Sequence, residues 1–159
     1  MWKLYDELIG RIPPDILADG ITIGLDWTVV TAVICHFHKL ENYLKEAASV
    51  AVLERRPAVD DYPDSACEYI LPEQDFVFIT GTTLINKTLP RLLELAKDAH
   101  VVLVGPSTPM TPILFDYGVN ELSGFLVCDK DGLIDAVTTA GHDTFFRCGE
   151  RTRMIRKRP

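Results

Sequence analysis

Short apolar runs alternate with longer amphipathic stretches along most of this chain. The apolar runs have the length of buried strands, and the stretches between them repeat apolar residues at helical spacing. Strands are predicted at residues 31–35, 50–53, 76–80, 101–104 and 124–128. Helices are predicted at 38–48, from a first turn that contains Pro90 to about 99, at 111–118 and at 131–140. This alternation predicts an α/β fold with a doubly wound, mostly parallel sheet.

The two ends of the chain depart from this rhythm. Residues 2–11 form a predicted amphipathic helix, with Trp2, Tyr5, Leu8 and Ile9 on one face, and residues 21–30 are predicted to be extended. One helix and one strand cannot enclose a core, so we divide the chain into a short segment, 1–30, and a sheet domain, 31–159. A second copy of the chain is the expected cover, which predicts a homodimer. At the other end, 144–147 and 152–157 are predicted to form a hairpin.

Two turns rich in hydroxyl groups follow neighbouring apolar runs. In a parallel sheet such turns share the edge formed by the carboxyl ends of the strands, where ligands bind. We therefore predict a site for a small molecule or anion there, with possible lining residues from both turns. They are Thr80, Gly81, Thr82, Thr83, Asn86, Lys87, Gly105, Pro106, Ser107 and Thr108.

Lys87 is the basic residue of this predicted site. Together with backbone N–H groups at a helix start, it would suit a carboxylate or a phosphate. The alternative is that Asn86 or Thr88 caps the helix and Lys87 is solvated. Residues 81–88 also match the P-loop pattern at every defined position but one, where Asn86 replaces the second glycine. Asparagine tolerates a left-handed backbone, so this replacement alone does not exclude the loop. No acidic residue follows strand 101–104 to hold magnesium, so we interpret this match as accidental.

The segment Cys35-His36-Phe37-His38 is the second candidate site. A thiol and two imidazoles suit a transition metal such as zinc, copper or nickel. Cys35, His36 and His38 are the predicted ligands, and Glu54, His100, Cys128 and His142 are candidates for a further one. The alternative is that Cys35 packs in the strand as a small apolar residue. The same segment lacks the glycines of a dinucleotide-binding turn.

Composition and charge narrow the class of protein. The 159 residues are 47% hydrophobic and 25% charged, which is typical of a globular protein, and four scattered cysteines favour reduced thiols in the cytoplasm. Residues 147–159 hold six basic residues and one acidic residue, which is a net charge of +5. Because the whole chain has a net charge of −7, residues 1–146 carry −12. An acidic body makes nucleic acid an unlikely partner, and the basic tail is interpreted as a solvated strand. No membrane span is expected.

Several motifs, in order, resemble one family. Residues 68–80, 87–95, 104–109 and 122–125 resemble the putative heavy-metal chelation domain family, over about residues 31–159. The resemblance implies a Rossmann-like fold, preceded in fuller members by a domain resembling the enolase amino-terminal domain. It also implies a site between those two domains. In this chain, residues 1–30 correspond to only the start of that first domain.

Three functions therefore stay open from the sequence. One is a Rossmann-like protein that binds a small molecule or anion at the hydroxyl-rich turns. Another is a metal-chelating protein that uses Cys35, His36 and His38. The third is a non-catalytic assembly or partner protein. No catalytic motif identifies a reaction, since Ser107 is followed by Thr108-Pro109 and no nucleophile elbow is present.

Overall fold

The computed structural model describes residues 30–34, 49–139 and 145–156, with the backbone alone for 30–34. Its strands are β1 (Val30–Ile34), β2 (Ser49–Glu54), β3 (Tyr62–Pro63), β4 (Phe76–Thr80), β5 (His100–Val104), β6 (Glu121–Val127) and β7 (Gly149–Ile155). Its helices are α1 (Cys67–Ile70), α2 (Thr82–Ile85), α3 (Leu89–Leu95) and α4 (Lys130–Thr138). Short 3₁₀ helices cover Asp64–Ala66, Leu71–Glu73 and Pro112–Tyr117.

Several predictions lie outside these residues. They are the helices at 2–11 and 38–48, the extended segment before Val30, and the three predicted metal ligands Cys35, His36 and His38. In the part of the chain that is described, no helix is long and apolar enough to cross a membrane.

One sheet holds all seven strands, in the order β3-β2-β1-β4-β5-β6-β7. Every neighbouring pair is parallel except β6 and β7, which are antiparallel. From β1 the chain adds strands outward on one side, β2 and then β3. It then returns to β4 on the other side of β1 and adds β5 and β6 outward, so the direction of winding reverses between β1 and β4. The predicted α/β fold, Rossmann-like, doubly wound and mostly parallel, is confirmed.

The central strands are apolar on both faces because both faces are covered, as in other parallel sheets. Val77, Phe78 and Ile79 of β4 are buried, as are all four valines and leucines that follow His100 in β5. Leu89 and Leu92 of α3 pack onto this core, together with Leu114, Val119 and Leu122. Burial of this apolar surface is the main force that holds the sheet and its helices together.

The predicted helix with Pro90 in its first turn is α3, which ends at Leu95 and not near 99, and the short helix α2 precedes it. Helix α2 ends at Ile85, and α3 begins at Leu89 with Pro90 in its first turn. A continuous helix would place the Pro90 ring against the carbonyl of Asn86 and leave that carbonyl without its donor. Instead, the Asn86 side-chain oxygen accepts hydrogen bonds from the Thr88 backbone N–H (3.1 Å) and hydroxyl (2.6 Å). The proline therefore sits where α3 can start.

The later elements follow the sequence more closely. The predicted helix at 111–118 is a 3₁₀ helix that ends at Gly118, whose φ of 99° suits glycine. Helix α4 is capped by Asp129, whose carboxylate accepts a hydrogen bond from the Gly132 N–H at 2.9 Å. The glycine at the end of the first of these helices and the aspartate at the start of α4 are the residue types that favour those positions.

The predicted hairpin between 144–147 and 152–157 is wrong. Strand β7 instead pairs along its whole length with β6, from Glu121 opposite Ile155 to Val127 opposite Gly149. Without β7, the last parallel strand would expose an unpaired row of backbone groups. A local hairpin would leave that row open, whereas β7 satisfies it.

A buried ion pair fixes the register of β7. Arg153 donates from Nε to Oε1 of Glu121 at 2.5 Å and from Nη2 to Oε2 at 2.7 Å. The Glu121 side chain is only 4% exposed and that of Arg153 is 19% exposed. Two parallel bonds satisfy the carboxylate in a fixed orientation, so a shifted strand would leave a buried charge without its partner.

We predict that Arg153→Met lowers the free energy of unfolding by about 3 kcal/mol, because the buried Glu121 carboxylate loses its two hydrogen bonds to the guanidinium. The double variant Glu121→Leu/Arg153→Met should lose clearly less, since both charges are gone. Urea unfolding measures both values. The exposed pair of Arg91 and Glu68 is the control, and Arg91→Met should leave stability nearly unchanged. Equal losses for the single and double variants would contradict a structural role for the pair.

Candidate functional site

The turns after β4 and β5 lie side by side at the carboxyl edge of the sheet. The Gly81 N–H donates to the Val104 carbonyl at 2.8 Å, and the Gly105 N–H donates to the Ser123 carbonyl at 3.0 Å. Each turn therefore begins as a continuation of the ladder between strands. The predicted common edge for these two turns is confirmed, and β1 ends at the same edge because Ile34 is level with Ile79.

Gly81 allows the two turns to touch. A Cβ at this position would lie 2.7 Å from the Thr108 nitrogen and 2.8 Å from the Ser107 carbonyl carbon. The φ of Gly81 is −57°, which any residue adopts, so glycine is needed here for space and not for backbone conformation. Because the colliding atoms belong to backbone, a side chain could be accommodated only by moving one turn away from the other.

Three threonines order the first turn. The Thr83 hydroxyl donates to the Thr80 carbonyl at 2.7 Å and is buried, which gives it a structural role. The hydroxyls of Thr80 and Thr82 are 3.1 Å apart and share a hydrogen bond. Thr82 is exposed and Thr80 is half-buried, so this pair reaches the surface of the edge while Thr83 lies behind it.

Lys87 ends helix α2 in a left-handed conformation. Its φ is 66°, and in the described ranges every other residue with a φ in the left-handed region is a glycine. The Thr88 N–H bonds back to the Thr83 carbonyl at 3.0 Å, as in a Schellman motif, in which the left-handed residue is most often glycine. The left-handed residue is thus Lys87 and not Asn86. The Lys87 side chain is exposed at the edge.

The segment between Gly81 and Thr88 is not a phosphate-binding loop. The N–H groups of Leu84, Asn86 and Thr88 donate to carbonyls within the α2 turn, so they cannot cradle a phosphate. Helix α2 has only four residues, which is too short for its dipole to contribute. Recognition at this edge would therefore rest on side chains.

The second turn offers one exposed and one buried hydroxyl. Gly105 has a φ of 115°, and the Thr108 N–H donates to its carbonyl at 2.9 Å. Ser107 and Pro106 are exposed. Thr108 is 4% exposed, and its hydroxyl has no hydrogen-bond partner in the described part of the chain. This hydroxyl lies against Gly81, close to where a Cβ of that residue would be.

The structure brings the ten predicted residues together at one edge but sorts them by depth. Gly81, Thr83 and Thr108 are buried, and Thr80 and Gly105 are half-buried. The side chains that reach the surface are those of Thr82, Asn86, Lys87, Pro106 and Ser107. The sequence analysis also missed one feature, the reversal of winding between β1 and β4. The position of this reversal depends on strand order, and no local pattern in the sequence encodes strand order.

No group of three potential metal ligands occurs within residues 49–139 and 145–156. Strand positions also exclude two of the four residues that were candidates for a further metal ligand. His100 begins β5 and is level with Phe76, at the edge opposite to the end of β1. Cys128 follows β6, three strands away from β1, or roughly 14 Å at the usual strand spacing. Glu54 ends β2, one residue beyond the partner of Ile34, and stays compatible with such a site.

Among the described residues, three side chains with a clearly shifted pKa form a cluster on α1 and α3, away from the two turns. Burial raises the pKa of the Cys67 thiol, and the nearby carboxylates of Glu68 and Asp64 raise it further. Hydrogen bonds from Arg91 lower the pKa of Glu68. The Arg91 guanidinium of α3 forms exposed ion pairs with Glu68 on α1 and with Glu94 on α3, and such surface pairs contribute little to stability.

We predict that Gly81→Ala lowers the free energy of unfolding by about 1–3 kcal/mol, because the new methyl group collides with backbone of the second turn. The Thr108 amide signal should shift in the ¹⁵N correlation spectrum. Gly118→Ala is the control: it also costs stability, through its positive φ, but has open space around it and should leave Thr108 unshifted. A Gly81→Ala spectrum identical to the unmodified one would contradict the close contact.

Comparison with known proteins identifies relatives of this chain. The model of the DUF364 family, described as putative heavy-metal chelation, matches residues 25–155. An uncharacterized protein of Methanocaldococcus jannaschii is 37% identical over 113 residues, which cover 67% of this chain and 44% of that protein.

Two solved structures have the same fold. A DUF364 protein of unknown function from Desulfitobacterium hafniense is 36% identical, with a TM-score of 0.77 over 90% of this chain and 62% of that one. One from Pyrococcus horikoshii, at 24% identity, has a TM-score of 0.75 over 80% of this chain and 54% of that one. The chain thus spans less than two thirds of the length of these relatives. With the family model matched over most of its residues, the chain belongs to the DUF364 family.

Proposed function

We propose that the carboxyl edge of the sheet binds a small anionic molecule between the turns after β4 and β5. The observation that carries this proposal is the backbone contact at Gly81, which holds two hydroxyl-bearing turns in a fixed relation. Neither 80–88 nor 105–111 contains an acidic residue, and Lys87 supplies one positive charge. Hydroxyl, amide and ammonium groups can all donate hydrogen bonds to a carboxylate or a phosphate.

The strand order supports the same position. Ligands of doubly wound sheets bind outside the carboxyl ends of the strands, where the direction of winding reverses. In this protein the reversal lies between β1 and β4, so Thr80 and Thr82 lie beside it. The exposed Ser107 reaches the same edge from the neighbouring turn.

The conformation of Lys87 also favours a role for its side chain. A left-handed backbone costs roughly 1–2 kcal/mol for a residue with a Cβ, and glycine would avoid that cost. Residues held in such conformations are concentrated at binding sites, where the side chain is needed at that point of the turn. A solvated lysine would give no reason to keep this cost.

The test is a titration monitored by backbone amide NMR at constant ionic strength, first with phosphate and then with succinate. We predict saturable shifts at residues 81–83 and 107, and binding at least roughly tenfold weaker in Lys87→Met, since one charge-assisted hydrogen bond is lost. The methionine variant keeps a Cβ and an unbranched stem, so the backbone cost is unchanged. Lys97→Met, an exposed lysine beyond α3, is the control. Shifts that do not saturate, or equal losses in both variants, would refute the proposal.

Metal chelation is the second candidate function. It is supported by the description of the family and by the end of β1, which lies at the same edge as the two turns. Cys35 follows Ile34 directly in the chain, and His36 and His38 come next. A thiolate and imidazoles would favour zinc, copper or nickel, and the metal would act there as a bound cation and Lewis acid.

Elemental analysis of protein prepared without a histidine tag tests this candidate. We predict close to one equivalent of a transition metal after dialysis against zinc, and its loss in the triple variant Cys35→Ser/His36→Ala/His38→Ala. Cys67→Ser, on α1, is the matched control and should retain the metal. Metal content equal to that of a dialysed blank, or the same content in the triple variant, would rule the candidate out.

A further inference from the structure

Cys128 and Cys148 lie at the junction of β6 and β7, just beyond the last pair of their ladder. The ladder ends with Val127 opposite Gly149, so the next positions along the two strands are Cys128 and Cys148. The Cys128 N–H donates to the Cys148 carbonyl at 2.9 Å, which extends the ladder by one step. The Asp129 N–H donates to the same carbonyl, also at 2.9 Å.

Neighbouring contacts show that the two strands lie close together at this point. A Cβ at Gly149 would collide with the carbonyl oxygen of Leu126 and approach the Phe125 ring to 2.8 Å. Phe125 stacks on Phe145, with ring centroids 5.2 Å apart. The segment that leads into Cys148 is therefore packed against the end of β6.

This placement matches the requirement for a disulfide. Directly opposite residues of an antiparallel pair have side chains on the same face and Cα atoms about 4.5–5.5 Å apart. Disulfides need Cα atoms about 4.4–6.8 Å apart. The backbone can therefore accept a bond between these two residues without a change of register.

We propose that Cys128 and Cys148 are a reversible disulfide site, which a peroxide oxidises. Cys128 is exposed, with its thiol donating to the Leu126 carbonyl at 3.6 Å, so it is the sulfur that meets the oxidant. Its thiolate attacks hydrogen peroxide, which gives a sulfenic acid and hydroxide. The Cys148 sulfur, which is buried, then displaces the sulfenic oxygen as water. In sum, two thiols and one peroxide give one disulfide and two waters.

The bond would change what holds β7 in place. It closes a loop over residues 129–147, which includes helix α4 and its capping residue Asp129. In the reduced protein, this end of β7 is held by backbone hydrogen bonds and by aromatic packing. The bond would add a covalent link at the end of β6, directly before the first residue of β7.

The experiment treats the whole chain with a small excess of hydrogen peroxide and maps its peptides without reduction. We expect a linked Cys128–Cys148 peptide pair, the loss of two hydrogen atoms from the intact mass, and a rise in Tm of roughly 5–10 °C that dithiothreitol reverses. Cys128→Ser and Cys148→Ser should each abolish the rise. Cys67→Ser, which removes a half-buried thiol on α1, should keep it.

Other products would overturn the proposal. They are a sulfinic acid on Cys128 with Cys148 still reduced, a link from either residue to Cys35 or Cys67, or a dimer joined through Cys128. If one of the serine variants fails to fold, the peptide map of the unmodified chain still decides the question. That map identifies the linked cysteines without any substitution.

Discussion

The contact between two backbone turns at Gly81 is the constraint on which the candidate site depends. Parallel strands bring their carboxyl ends to one edge, but they leave the following turns separated by about the spacing of the strands. Here the absence of a single Cβ lets the turn after β4 meet the turn after β5, and the ladder bond from Gly81 to Val104 holds it there. The exposed hydroxyls are then presented as one surface, which favours recognition by side chains on a rigid base.

The sequence predicted the central strands β4 and β5 well because both are apolar runs buried on both faces. It placed β4 without error and missed the first residue of β5, His100. It failed where tertiary contacts outweigh local pattern. The hairpin near Cys148 was wrong because pairing with β6 satisfies more backbone groups than a local turn would. Pro90 was predicted in the first turn of its helix and lies there in α3, but the helix ends at Leu95, earlier than predicted.

For the site, residue types and strand ends could be read from the sequence, but depth could not. Thr82 and Thr83 are neighbours with the same chemistry, yet one is exposed and the other bonds inward to Thr80. Residue type also does not show which position is left-handed: asparagine tolerates that conformation, but the left-handed residue at the end of α2 is Lys87. Both distinctions follow from where a four-residue helix stops, which no periodicity over so short a stretch can define.

The two-residue strand β3 gives the sheet an asymmetry in how it can grow. At that border Pro63 has no N–H to offer and only two residues are paired, so a further strand would find almost no template. The opposite border, β7, is seven residues long and contains no proline. Among the described strands, templated aggregation or exchange of strands between chains would therefore proceed in one direction, from β7. The exposed Arg151 and Arg156 lie along or just beyond it, where like charges oppose the approach of another copy.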